Sequence, residues 1–215
     1  MESVPAVLEI LQKTYLGQKG AVELGNPYKV LFATIISQRN KDELTEKVSA
    51  KLFKKYPTIR DLATAKPKEI SKTIYPSGFY NVKGRVMVAV AKEIVEKYSA
   101  KIPNTLDALT GLPGVGRKTA NCVLVYGYGQ PEIVVDTHVH RISQRLGWIQ
   151  SKNPTETESK LAKVVPKKYW KTINTLFVKH GKTACLPVGP RCLDCPVLLY
   201  CPFGNSRVKS LVVRG

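Results

Sequence analysis

The chain has 215 residues, 43% of them hydrophobic, enough for one large domain or two small cores. Its 34 lysines and arginines outweigh 16 aspartates and glutamates, and the formal net charge of +18 attracts phosphates through counterion release. The longest apolar run, Val30 to Ile36, is too short to span a bilayer, and Met1 to Pro5 lack the basic patch and apolar run of a signal peptide. The lysines are spread along the whole chain, which sets aside a basic membrane-surface helix. What is left is a soluble, cytoplasmic, nucleoid-associated monomer with nucleic acid as its partner.

Apolar residues recur with helical period throughout, and no segment alternates in the manner of a strand. Helices are predicted over 5–15, 28–38, 41–56, 59–65, 67–74, 80–98, 106–112, 117–126, 137–146, 156–165 and 167–180. Thr58, Asn104 and Asp136 stand where N-caps belong, and Pro67 suits a first helical turn. Glycines and a proline in 127–135 mark the domain junction. Four prolines and a glycine across 187–202 break up the region after the last helix, so that segment is read as loop. The basic tail from Gly204 is read as a loose arm or a docked end.

Two helices are joined by Leu112-Pro113-Gly114-Val115-Gly116, followed at once by Arg117, Lys118 and Thr119. Gly114 and Gly116 permit positive φ and leave no side chain between the backbone and a partner, so the amides here can cradle a phosphate. The Gly-x-x-x-x-Gly-Lys-Ser/Thr pattern of nucleotide-binding loops is not matched. Lys118 lies in the first turn of the next helix, where the dipole acts against a protonated amine. An uncharged amine is a nucleophile able to form a Schiff base with an aldehydic sugar carbon.

Four of the five cysteines, Cys185, Cys192, Cys195 and Cys201, fall in the last thirty or so residues. Clustered thiols in a reducing compartment point to a metal, and four sulfur ligands serve zinc or an iron–sulfur cluster. Zinc ribbons usually use two Cys-x-x-Cys pairs, whereas here Cys192 and Cys195 form one. Cys122 reads as a small buried apolar residue. His138 and His140, two apart, diverge on a helix and do not share a metal.

Leu112 to Asn121, then Val135-Asp136-Thr137-His138-Val139-His140-Arg141, then the four cysteines, together resemble the endonuclease III family. These are base-excision DNA glycosylases of the helix-hairpin-helix superfamily. Ser37-Gln38-Arg39 and Gly78-Phe79-Tyr80-Asn81 also fall where that family has characteristic segments, so the resemblance covers nearly the whole chain. It implies an all-α fold with a six-helix barrel domain over 19–130. A cluster domain would be made of 1–18 with 131–215, and a DNA-binding cleft would separate the two. It implies that Lys118 attacks the sugar C1′ of a damaged nucleotide while Asp136 assists it and stabilises the cationic sugar. Gln38 and Phe79 would fill the gap left by the extruded nucleotide, with Phe79 replacing the leucine common in the family. Gly114, Gly116, Arg117, Thr119 and Arg191 would contact DNA, and the cysteines would hold a [4Fe-4S] cluster. The expected activity is excision of oxidised pyrimidines such as thymine glycol from double-stranded DNA, with lyase cleavage of the abasic site. The alternatives are a monofunctional mismatch or adenine glycosylase of the same superfamily, or a non-catalytic protein that binds DNA damage.

Overall fold

The computed structural model describes residues 3–16 and 25–212, and every regular element among them is helical. In chain order the α-helices are α1 (Ser3–Leu16), α2 (Pro27–Ser37), α3 (Asp42–Lys55), α4 (Ile59–Thr64), α5 (Pro67–Ile74) and α6 (Tyr80–Lys97). There follow α7 (Leu106–Thr110), α8 (Arg117–Cys122), α9 (Thr137–Arg145), α10 (Pro154–Val164), α11 (Trp170–Thr183) and α12 (Pro202–Val212). The chain divides into two compact units, Leu24–Gln130 and Met1–Glu23 with Pro131–Gly215. A domain start at Lys19 lies outside the described residues.

The unit Leu24–Gln130 holds α2 to α8 around one core. Tyr28, Leu31, Phe32, Ile35 and Ile36 make α2 apolar on most of its surface, so it is enclosed by α3, α6 and α8. Local signals set several helix starts. Thr58 and Asp61 form a capping box on α4, and Pro67 stands in the first turn of α5. α5 lies close against α6 because Gly84 has no side chain; a Cβ there would stand 2.7 Å from the Pro67 carbonyl.

Two expectations for this unit are corrected. The cap of α7 is Thr105, whose hydroxyl accepts from Ala108 N at 3.4 Å, whereas the Asn104 carbonyl accepts from Gln130 Nε2 at 2.9 Å. The helix expected over 117–126 changes character after Cys122 and continues as a π-helical segment, Val123–Gly127. The wider turn seats Gly127 against Pro27, where a Cβ would be 3.0 Å from the proline Cα.

The other unit packs α1, α9, α10, α11 and α12 around a second core. Val4, Val7, Leu8 and Leu11 line one face of α1 at helical spacing and are fully buried or nearly so. α1 lies along α11, with the Tyr15 hydroxyl 3.0 Å from both His180 Nδ1 and Thr183 Oγ1, and Tyr169 donating to Glu9 at 2.9 Å. This N-terminal helix is thus part of the core of the C-terminal half. The tail takes the docked form of the two expected. Residues through Val212 form α12, which packs on α9, and the Arg145 guanidinium lies 4.5 Å from the Phe203 ring centroid.

Candidate active site and nucleic-acid interface

The hairpin between α7 and α8 is anchored from below by Leu109, Leu112, Val115 and Ala120, all buried. Gly114 is required twice over: its φ is +71°, and a Cβ would lie 2.9 Å from Val86 Cγ1. Gly116 departs from expectation, with an ordinary φ of −86°. An added Cβ there meets nothing within 4 Å, so Gly116 leaves the approach to the first amides of α8 open. Arg117 and Lys118 are exposed beside it. Thr119 is buried at 4% exposure, so its side chain has almost no surface to offer DNA.

Asp136 is the N-cap of α9. Its Oδ1 accepts from His138 N and Val139 N, both at 2.9 Å. The preceding segment Ile133–Val135 is buried, and Asn174 Nδ2 donates to the Val134 carbonyl at 3.2 Å, fixing the approach to the cap. Two hydrogen bonds to one oxygen, at the positive end of a helix, hold the half-buried carboxylate in place. His138 and His140 have separate partners. His138 Nδ1 is 3.2 Å from Arg141 Nη2, and His140 Nδ1 is 2.6 Å from Thr157 Oγ1.

Gln38 and Phe79 line one pocket of about 360 Å³, together with Arg39, Val82, Lys83 and Gly114 of the hairpin. Phe79 is 62% exposed, in the left-handed region at φ 56°, and Arg39 nearby has φ 57°. The Arg39 guanidinium sits 5.5 Å from the Phe79 ring centroid. An exposed aromatic held in an uncommon backbone conformation makes this loop a candidate for function. Three residues beneath it escaped the sequence reading: Asn40, Ser77 and Lys83. The available signal was Lys83 itself, a lysine on the apolar face of α6, one turn before Met87.

The four C-terminal cysteines are free thiols that line one common pocket, with Arg145, His180 and Arg191 in the same lining. Among the described residues no group of three or more His, Cys, Asp or Glu is arranged to hold a metal ion. Burial is the main cause that pushes the Cys192, Cys195 and Cys201 thiols up, Cys195 to about 11, and other members of the set act in the same direction. Burial, then the Arg141 charge, pulls His180 down to about 4, which keeps it neutral 3.8 Å from Cys195 Sγ. The loop is strapped to α9. Arg145 donates to Cys185 Sγ at 3.3 Å, Leu186 O at 2.7 Å and Pro187 O at 3.0 Å, and Arg141 donates to Cys185 O at 2.9 Å. Arg191 is exposed, and its backbone N–H donates to Ala184 O at 2.9 Å.

Residues 32–167 match the model of the HhH-GPD superfamily base excision DNA repair proteins. The chain belongs to the endonuclease III family within that superfamily, DNA N-glycosylases with abasic-site lyase activity. It is 46% identical over 187 residues to endonuclease III of Thermotoga maritima, a match covering 87% of this chain and 88% of that protein. Endonuclease III of Synechocystis is 36% identical over 201 residues, covering 93% and 92%. Among solved structures, a trapped endonuclease III–DNA covalent intermediate with an estranged adenine superposes at TM-score 0.87. It is 33% identical and covers 96% of this chain and 98% of that one. Among the described residues no helix is long and apolar enough to cross a membrane.

Proposed function

We propose that this enzyme excises oxidised pyrimidines from double-stranded DNA and then cleaves the abasic site through a Schiff base on Lys118. The observation that carries the reading is an exposed lysine in the first turn of α8, directly after a hairpin whose Gly116 leaves the backbone open to a phosphate. That a relative was trapped covalently on DNA supports an amine nucleophile in this family.

In this reading Lys118 Nζ, as the free amine, attacks C1′ and the C1′–base bond breaks, the base leaving with the bonding pair and taking up a proton. The Asp136 carboxylate, fixed by its two backbone bonds, stabilises the positive charge that develops on the sugar and accepts the proton released by the amine. Opening of the sugar ring gives an imine between Nζ and C1′. The imine acidifies the C2′ proton; its loss forms a C2′–C3′ double bond and expels the 3′ phosphate, and water then releases Lys118. Gly114, Gly116 and Arg117 hold the backbone of the target strand. Thr119, being buried, supports the helix from beneath. Gln38 and Phe79 fill the space vacated by the nucleotide.

The four cysteines are assigned to a [4Fe-4S] cluster, and the surroundings suit one. Desolvated thiols that oppose one another's ionisation are relieved when a metal takes the place of their protons. Arg145 and the Gly204 N–H, the latter 3.3 Å from Cys201 Sγ, donate to sulfur as cluster thiolates require. When bound, the cluster supplies a rigid crosslink for the loop. No catalytic step is assigned to it.

Borohydride reduction on a duplex with one abasic site tests the central claim. The expected result is a covalent protein–DNA adduct with the native enzyme and none with Lys118→Gln. Absence of an adduct with the native enzyme, or equal trapping by the variant, refutes it.

A further inference from the structure

We infer that Lys83 is a positioning residue: its buried ammonium pins the Gln38 loop to the Phe79 loop, so that the two insertion side chains enter the duplex at a fixed separation. The inference rests on the proposed roles of Gln38 and Phe79 and adds a residue that touches neither DNA nor the reacting sugar.

Lys83 is 5% exposed, one turn into α6. Its Nζ donates to Ile36 O at 2.7 Å, Gln38 O at 2.7 Å and Ser77 Oγ at 3.0 Å. Three acceptors match the three protons of an ammonium: Ile36 in the last turn of α2, Gln38 just past it, and Ser77 in the segment before α6. Ile36 and Gln38 close the C-terminal end of α2, leaving that helix's late carbonyls to be satisfied by a cation. Ser77 precedes Phe79 by two residues.

Asn40 forms a second strap between the same loops. Its Nδ2 donates to Ile36 O at 2.8 Å and Ser77 Oγ at 2.7 Å, while its Oδ1 accepts from Gly78 N at 2.8 Å. Gly78 is packed so closely that a Cβ would stand 3.2 Å from Arg39 O. Phe79, next in the chain, holds its left-handed conformation through this frame, and its own carbonyl accepts from Lys83 N at 3.0 Å.

A buried cation without a carboxylate partner is an expensive way to stabilise a fold. The lining of the adjacent pocket includes no acidic side chain. An apolar residue at this position would fill the core without the desolvation penalty. What it would not do is hold the carbonyls at the end of α2 and the Ser77 hydroxyl at one point. That geometric duty distinguishes positioning from packing.

The test compares two duplexes that carry the same oxidised pyrimidine, one with a purine opposite and one with an abasic analogue opposite. Extrusion is cheaper where the lesion has no pairing partner, so dependence on the wedge falls. With Lys83→Met the kcat/KM for the paired duplex should drop roughly 10- to 100-fold, the scale of a misplacement near 1 Å. For the unpaired duplex it should drop by less than about threefold. Equal losses on both duplexes, or no loss on either, overturn the inference while leaving glycosylase activity intact. Ser77→Ala, which removes the hydroxyl shared by Lys83 and Asn40, should show the same selectivity with smaller amplitude, and it decides the matter if Lys83→Met does not fold. Failure of the native enzyme on both duplexes would instead sink the glycosylase reading on which this one rests.

Discussion

Asp136 caps α9 and is proposed to act as the catalytic carboxylate, and two substitutions separate the two roles. Asparagine keeps an oxygen where Oδ1 accepts from His138 N and Val139 N at 2.9 Å, and loses only the charge facing the helix dipole, about 0.3–1 kcal/mol. Alanine loses both bonds, about 1–2 kcal/mol. The two variants should therefore order themselves in urea denaturation as native, Asn, Ala. Chemistry should not follow that order. Both substitutions remove the negative charge that faces the cationic sugar, so both should lower the single-turnover excision rate by a similar factor, roughly 10²–10³. The assay uses enzyme in excess over a lesion-containing duplex, which isolates the chemical step from product release. An asparagine variant within about threefold of the native rate would refute the electrostatic role and leave Asp136 a cap.

Replacing a cysteine tests the metal assignment: purified native protein should carry iron and a broad visible absorbance that Cys192→Ser loses, whereas a colourless native protein with one zinc would overturn it. Burial without a countercharge pulls Lys83 down to about 8 from the ordinary 10.5. The unfolded chain therefore binds more protons between those two values, and the folded state gains stability as pH rises across them. Lys83→Met should flatten this rise in urea denaturation, and parallel slopes for the two proteins would contradict it. Gly84→Ala should cost about 1–3 kcal/mol, because the new methyl would sit 2.3 Å from Ser71 Oγ and 2.7 Å from the Pro67 carbonyl, forcing α5 and α6 apart. A cost below about 0.5 kcal/mol, measured the same way, would mean that the two helices separate freely.

Much of the helical layout could be read in the chain because the deciding interactions are local. The Thr58 cap, Pro67 in a first turn and Asp136 before Thr137 each act within a few residues. Features that depend on distant neighbours were not legible. Which core α1 joins came from the resemblance and not from local pattern, because α11 decides it from more than a hundred and fifty residues away (Tyr15 to His180). Thr105 rather than Asn104 caps α7, one residue later in the chain than expected. Gly114 needs its glycine because Val86 lies beneath it, whereas Gly116 has open space, and nothing local distinguishes them. Lys83 was missed for the same reason: its acceptors come from α2 and the loop before α6, and a sequence shows only a lysine among apolar neighbours. The residues marked for chemistry, Lys118 and Asp136, were visible as a pattern; the straps that hold the Gln38 and Phe79 segments were not.

One short rod links two parts of the second unit. α9, about 13 Å long, carries Asp136 at one end, while Arg141 and Arg145 near the other grip the sulfur-bearing loop. Oxidants that destroy the thiols would slacken that grip and let the rod drift, and with it the anion at its far tip. If the proposed substrates are the right ones, the enzyme would then be disarmed by the same stress that creates its work.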